Sequence, residues 1–233
     1  MVAEMLGTGF LAAAVVGSGI MATGLAGGNE ALTLLANSLA TAAALFALIG
    51  WLGPISGAHL NPVVTVILAL RGDTTGGDAA AYIPAQVIGA LIGVVIAHAM
   101  FDMPLLGAST TVRSGRAQWL GEFVSTFGLV GIVWVGSQTR SASLAGVVAA
   151  YIGGAFWFTP TDFANPALTL ARALTDTFAG IQPADVPGFI GAEFAGAAAA
   201  AAVFQWLSPD GGHVLATPSR ARWPTSASND SSP

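Results

Sequence analysis

The sequence contains no cysteine and no lysine, and only 8% of its 233 residues are charged. The absence of cysteine excludes disulfides and thiolate metal sites. With no lysine and a formal charge of −5, the chain lacks the basic surface that nucleic acid requires, so no nucleic-acid partner is expected. The shortage of charge excludes more. Soluble domains carry about 25% charged residues, and a soluble fold of this length could not cover its surface with so few. No histidines and carboxylates cluster at metal-ligand spacing, and no Ser–His–Asp or nucleophile-elbow pattern occurs. No metal, no cofactor and no enzymatic activity are therefore expected.

What remains is apolar. Hydrophobic residues make up 54% of the chain and glycine contributes 30 positions, a composition that suits close helix packing in lipid. Crossing a bilayer takes roughly 20 mostly apolar residues. Six stretches qualify, near 5–26, 31–53, 80–101, 118–136, 143–160 and 187–207. The first carries Glu4 where a secretion signal would be basic, so it reads as a retained span. Two further apolar segments, Ser56–Leu70 and Asp162–Leu174, are too short to cross and are interrupted by Asn61-Pro62 and Asn165-Pro166. The stretch from Ser208 to Pro233, rich in Ser, Pro, Asp and Gly, reads as a disordered cytoplasmic tail.

The segments repeat in order. Glu4 near the start of the first span has a counterpart in Glu122 of the fourth. Ser56–Thr65 is echoed by Phe163–Thr169, and Tyr82–Gly89, containing Gln86, by Phe189–Gly196, containing Glu193. Each half holds three spans, an odd number, so the second half lies inverted relative to the first, with the broken segments marking the site. The expected fold is an all-α membrane protein of six transmembrane helices and two re-entrant half-helices. It forms one domain over 1–207, with half-repeats of about 1–101 and 117–207.

Asn-Pro opening a helical run has a physical meaning. Asn caps free N–H groups and Pro fits the first helical turn. Each half-helix then directs the positive end of its dipole toward the midplane, and the amides of Asn61 and Asn165 can donate hydrogen bonds into a lumen. Irregular backbone at this depth must be buried in protein or line a watery cavity. Donors at the centre and apolar walls suit small neutral molecules and repel cations. Glu4 and Glu122 are intramembrane acids and need partners. Their matched placement points to bracing the two loops; the alternative is a proton-coupled secondary transporter of a small solute.

Asn61-Pro62-Val63 and Asn165-Pro166-Ala167 resemble the paired NPA motifs of the aquaporin and aquaglyceroporin (major intrinsic protein) superfamily, with Val63 a mild departure. Ser56-Gly57-Ala58-His59 before the first motif is also typical, and the resemblance covers about residues 3–207. It implies a homotetramer in a lipid bilayer, one pore per subunit and loop-bracing by Glu4 and Glu122 helped by His59 and Gln86 or Glu193. It also places Arg71, Arg140, Arg220 and Arg222 in the cytoplasm, Arg113, Arg116 and Arg172 outside, and the protein in a bacterial plasma membrane. Carried over by spacing, the family's four-residue selectivity filter falls on Thr41, Gly153, Asp162 and Leu168. Water-specific members hold an aromatic, a His, a small residue and an Arg there; here Leu168 stands in place of the Arg. Arg172 lies one turn outward, either as a displaced filter residue in the outer pore or as an i,i+4 partner of Asp176. Asp162 is either a pore-mouth acid or a partner of Arg172. His98 and His213 read as incidental. The run from Asn165 to Leu174 is similar to a branch of bacterial aquaporins associated with arsenic resistance, which implies water, glycerol-like polyols and As(OH)3 as solutes.

Overall fold

In the computed structural model, residues 1–138 and 143–207 are described. They form α1 (Val2–Leu25), α2 (Glu30–Ser56), α3 (Pro62–Arg71), α4 (Gly76–Met100), α5 (Arg116–Gln138), α6 (Leu144–Phe158), α7 (Pro166–Arg172) and α8 (Val186–Leu207). The proposed tail, with His213, Arg220 and Arg222, and also Arg140, lie outside the described residues. Helices α1, α2, α4, α5 and α8 are long and apolar enough to cross a membrane; α6 is equally apolar but has 15 residues. The half-helices α3 and α7, with 10 and 7 residues, reach only about 15 and 10 Å at 1.5 Å per residue. The chain is thus an all-α, multi-pass membrane protein with two half-helices in corresponding positions of an inverted 3+3 repeat.

Local chemistry sets the boundaries. Asn29 and Thr75 cap α2 and α4 through their side chains. Helix α2 runs three residues past its expected end, through Pro54 to Ser56, and stops at Gly57, whose φ of 86° is open to glycine without strain. Glycines also set the helix spacing. A Cβ on Gly89 of α4 would lie 2.1 Å from the Met5 carbonyl oxygen of α1. A Cβ on Gly196 of α8 would lie 2.3 Å from the Phe123 carbonyl of α5. The same backbone-to-backbone approach therefore recurs in both halves, which meet through α2 against α6 and through each half-helix packing on helices of the other half, α7 on α4 and α3 on α8.

The burial pattern is inside-out relative to a soluble protein. Phe10, Phe46, Trp51, Ile96 and Trp157 are exposed on the outer faces, whereas Glu4, Gln86, Glu122 and Glu193 are fully buried. Apolar exteriors of this extent suit hydrocarbon. The buried polar groups converge on the two half-helices.

Candidate functional site at the meeting of the half-helices

Asn61 and Asn165 adopt extended backbone conformations and cap the helices that follow them. The Asn61 Oδ1 accepts from Val63 N at 3.0 Å, and the Asn165 Oδ1 from Ala167 N at 3.1 Å and Leu168 N at 3.4 Å. Pro62 and Pro166 occupy the first turns, where the missing N–H leaves no bond unmade. Each amide also reaches across the pseudo-twofold. Asn61 Nδ2 donates to the Ala164 carbonyl at 2.7 Å, and Asn165 Nδ2 to the Leu60 carbonyl at 2.8 Å. Those carbonyls are turned inward by left-handed backbones, φ 49° at Leu60 and 46° at Ala164, a conformation that costs about 1–3 kcal/mol in a non-glycine residue. An amide nitrogen has two hydrogens, so each asparagine keeps one donor for the cavity both line.

The buried acids hold these strained loops. Glu4 accepts from His59 N at 3.0 Å, Leu60 N at 2.7 Å, Gln86 Nε2 at 2.8 Å and the Ser56 hydroxyl. Glu122 accepts from Phe163 N at 3.1 Å and Ala164 N at 2.8 Å. Glu193 accepts from Asn165 N at 3.2 Å and from the Thr169 hydroxyl at 2.6 Å. Such bonds satisfy backbone donors that have no water to turn to. His59 is tied to the first half-helix through Thr65. The Thr65 hydroxyl gives its only hydrogen to the Asn61 carbonyl at 3.0 Å, so the ring's Nδ1, 3.1 Å away, is the donor in that contact.

Between the half-helices runs a cavity of about 130 Å³. Its walls are apolar apart from a few groups. Leu11 and Leu129, equivalent positions on α1 and α5, face it together with Val64 and Leu168, equivalent positions on α3 and α7. No Asp, Glu, Lys or Arg lines it among the described residues. Thr41 lines it too, and its hydroxyl is buried without a protein partner.

The four positions carried over by spacing do not all face this space. Thr41 and Leu168 do; Gly153, Asp162 and Arg172 are not part of the lining, and Ile152 and Phe163 are. Gly153 instead packs on α2, where a Cβ would meet Ala42 at 3.1 Å. Asp162 is not at an open mouth. Its carboxylate is buried with Glu122 and Ser125 of α5 nearby, and neither oxygen has a partner at full hydrogen-bonding geometry. Nor does it form an ion pair with Arg172 within 4 Å; among the described residues Arg71 with Asp73 is the ion pair. The local Arg172–Asp176 pair is also absent. Asp176 accepts from Thr110 N and the Thr110 hydroxyl, both at 2.9 Å. Arg172 donates through Nε to the Ala179 carbonyl and lies over the Phe163 ring. His98 is buried rather than incidental: Nδ1 lies 3.0 Å from the Leu105 carbonyl and Nε2 2.7 Å from the Thr175 hydroxyl. Phe163 could have been found from sequence, because aligning Asn61 with Asn165 places it opposite His59.

Comparison with known proteins agrees with this architecture. Residues 1–159 match the family model described as Major intrinsic protein, a match that ends before Asn165. Over 207 residues the chain is 53% identical to aquaglyceroporin AqpS of Rhizobium meliloti (strain 1021), covering 88% of each protein. It is 34% identical over 143 residues to the glycerol uptake facilitator protein of Bacillus subtilis (strain 168), covering 54% of this chain and 52% of that one. It is 32% identical over 209 residues to aquaporin NIP1-4 of Oryza sativa subsp. japonica, covering 86% and 74%.

Proposed function

The chain belongs to the major intrinsic protein family of membrane channels, and from that premise we propose that it is a passive pore for neutral solutes of glycerol size, including trivalent metalloid hydroxides such as As(OH)3. The carrying observation is the cavity wall. Leu168 occupies the place where water-specific members hold an Arg, and no charged side chain lines the space beside it. A hydrated ion entering such a space would lose its water without replacement. A neutral polyol loses less, and can exchange hydrogen bonds with Thr41 and then with the free amide hydrogens of Asn61 and Asn165. At the midplane those two donors, backed by the N-terminal ends of α3 and α7, disfavour a cation and interrupt a proton wire. Glu4 and Glu122 are occupied by loop N–H groups, which supports bracing over proton coupling.

The same reading assigns the working unit to a homotetramer in the bacterial plasma membrane, each subunit a single channel domain over 1–207. The test is Leu168→Arg, assayed in liposomes with water, glycerol and arsenite side by side. Adding a guanidinium at a tight wall should lower glycerol and arsenite permeability by about tenfold or more relative to water. An unchanged water-to-solute ratio in a folded variant would place the constriction elsewhere.

A further inference from the structure

The chain leaves α4 and turns straight back on it. Asp102 reverses the backbone at φ 53°, and the N–H groups of Phe101 and Met103 both return to the His98 carbonyl, at 3.1 and 3.0 Å. His98 is buried in the last turn of α4. Its Nδ1 lies 3.0 Å from the Leu105 carbonyl, and its Nε2 2.7 Å from the Thr175 hydroxyl. A carbonyl only accepts, so Nδ1 carries the hydrogen. Helical side chains tilt toward the helix N-terminus, so this bond draws Leu105 back to the level of the final α4 turn. Farther on, the Gly107 and Ser109 N–H groups donate to the Leu174 and Ala173 carbonyls at 3.1 and 3.0 Å. Pro104 has no N–H to satisfy. The segment is therefore bonded along its backbone and apolar in its side chains. From Ala99 to Ser109 only Asp102 is charged, and Leu105 and Leu106 are 53% and 59% exposed. None of these residues lines the cavity.

That level matters because of what α4 presents. Ile88, Ile92, Ile96 and Met100 form an exposed apolar ridge at four-residue spacing. The 25 residues of α4 reach about 37 Å, longer than a hydrocarbon core of about 30 Å. The last turn of α4 thus stands at the outer boundary of that core. We propose that Leu105 and Leu106 are an interfacial anchor, seated in the outermost acyl-chain layer of the bilayer beside the α4 ridge, and that His98 is the positioning residue that fixes their depth. Lipid fits this surface better than a second copy of the chain. Two leucines offer a small part of the roughly 800 Å² per partner that a stable protein interface takes, and they continue a helix face already apolar and uncovered. Backbone N–H groups at such a depth must be bonded within the protein, as those of Met103, Gly107 and Ser109 are. Thr110 then pairs with Asp176 on exposed ground, so the segment leaves the lipid at that point. The anchor is independent of which solute the cavity passes.

The chain has no cysteine, so single thiols report without background. Leu105→Cys, Leu106→Cys, Ile96→Cys on the ridge and Glu30→Cys at the exposed start of α2 are each labelled with a nitroxide in phosphatidylcholine–phosphatidylglycerol liposomes. Collisions with oxygen, which concentrates in hydrocarbon, are compared with those of a neutral, water-soluble nickel chelate. Labels at the two leucine positions should favour oxygen, as at Ile96, whereas the label at Glu30 should favour nickel. A preference for nickel at either leucine overturns the anchor. Loss of both kinds of collision overturns it too, because a neighbouring copy then covers the surface. The unlabelled thiols give a second readout that no label can bias. A charged, membrane-impermeant methanethiosulfonate should modify Leu105→Cys and Leu106→Cys about tenfold or more slowly than Glu30→Cys, since the attacking thiolate is disfavoured in apolar surroundings. Equal rates overturn the proposal. His98→Ala added to Leu106→Cys should move the label toward nickel, and His98→Asn, whose amide can still donate to the Leu105 carbonyl, should restore the oxygen preference. If His98→Ala does not fold, His98→Leu, which fills the space without a donor, carries that arm. A label that keeps its depth without a donor at His98 overturns the role given to that residue.

Discussion

The loop before Asn61 is held by one carboxylate and an amide, whereas the loop before Asn165 is held by two carboxylates with arginines alongside. In the first half, Gln86 donates to both Glu4 at 2.8 Å and the Thr65 hydroxyl at 2.9 Å. In the second, Glu193 sits at the equivalent place and accepts, from Asn165 N and Thr169. His59 lies edge-on to Tyr82 at 5.4 Å in one half, and Phe163 edge-on to Phe189 at 5.1 Å in the other. The first pair is polar and tied to a threonine, the second apolar and tied to arginines. The backbone result is nonetheless the same, an inward carbonyl at φ near 47° on the residue preceding each asparagine. What the two halves share is therefore the requirement to satisfy loop N–H groups; which charges satisfy them is free to differ. That freedom lets a polar histidine stand in one half where a phenylalanine stands in the other.

Making each half resemble the other gives the largest expected effect. Gln86→Glu replaces a donor by a second carboxylate facing Glu4 in a fully buried site, and should destabilise the protein by more than about 3 kcal/mol. Glu193→Gln keeps an acceptor for Asn165 and Thr169 and places an amide where a carboxylate oxygen now has no partner; it should change stability by less than about 1 kcal/mol. Melting of the purified variants in detergent measures both. Equal losses would mean that the two braces are interchangeable after all.

The glycine contacts should behave alike instead. Gly89→Ala and Gly196→Ala each drive a methyl group into a backbone carbonyl of the neighbouring helix. Each should cost about 1–3 kcal/mol from overpacking, and a large inequality between them in the same melting assay would show that the halves are not equivalent in packing.

The smallest effect concerns an outer tether. Hydrogen bonds from the Thr110 N–H and hydroxyl hold the Asp176 carboxyl below its usual range. A depressed folded value contributes stability above the ordinary Asp range, about pH 4, and loses it as pH falls through the folded value. Protease nicking of the outer loops should thus rise only in strong acid in the wild type. In Asp176→Asn that step should vanish, and a persisting step would assign it to another group.

Much of this was legible from sequence because it is local or repeated. Span length, the Asn-Pro caps and the paired acids depend on short patterns that occur twice, and each occurrence supports the other. The outer constriction was less legible, for reasons of geometry. Spacing fixes the level of a residue along a helix but not the face it presents, and adjacent residues on α6 point about 100° apart. That one step separates Gly153, packed on α2, from Ile152, which lines the cavity. Arg172 and Asp176 are four apart on paper, but α7 ends at Arg172, so the helical register that would pair them is lost. Each then finds a partner from beyond the helix, Ala179 and Thr110. The burial of His98 was not legible because its partners, Leu105 and Thr175, lie in irregular segments that follow α4 and α7.

The most direct test of a passive pore is glycerol flux in wild-type proteoliposomes, followed by light scattering with and without an imposed proton gradient. Flux should run down the glycerol gradient, stop when the gradient is spent and keep the same rate when the pH difference is reversed. Accumulation of glycerol against its gradient, driven by protons, would contradict the pore and return Glu4 and Glu122 to the role of coupling groups.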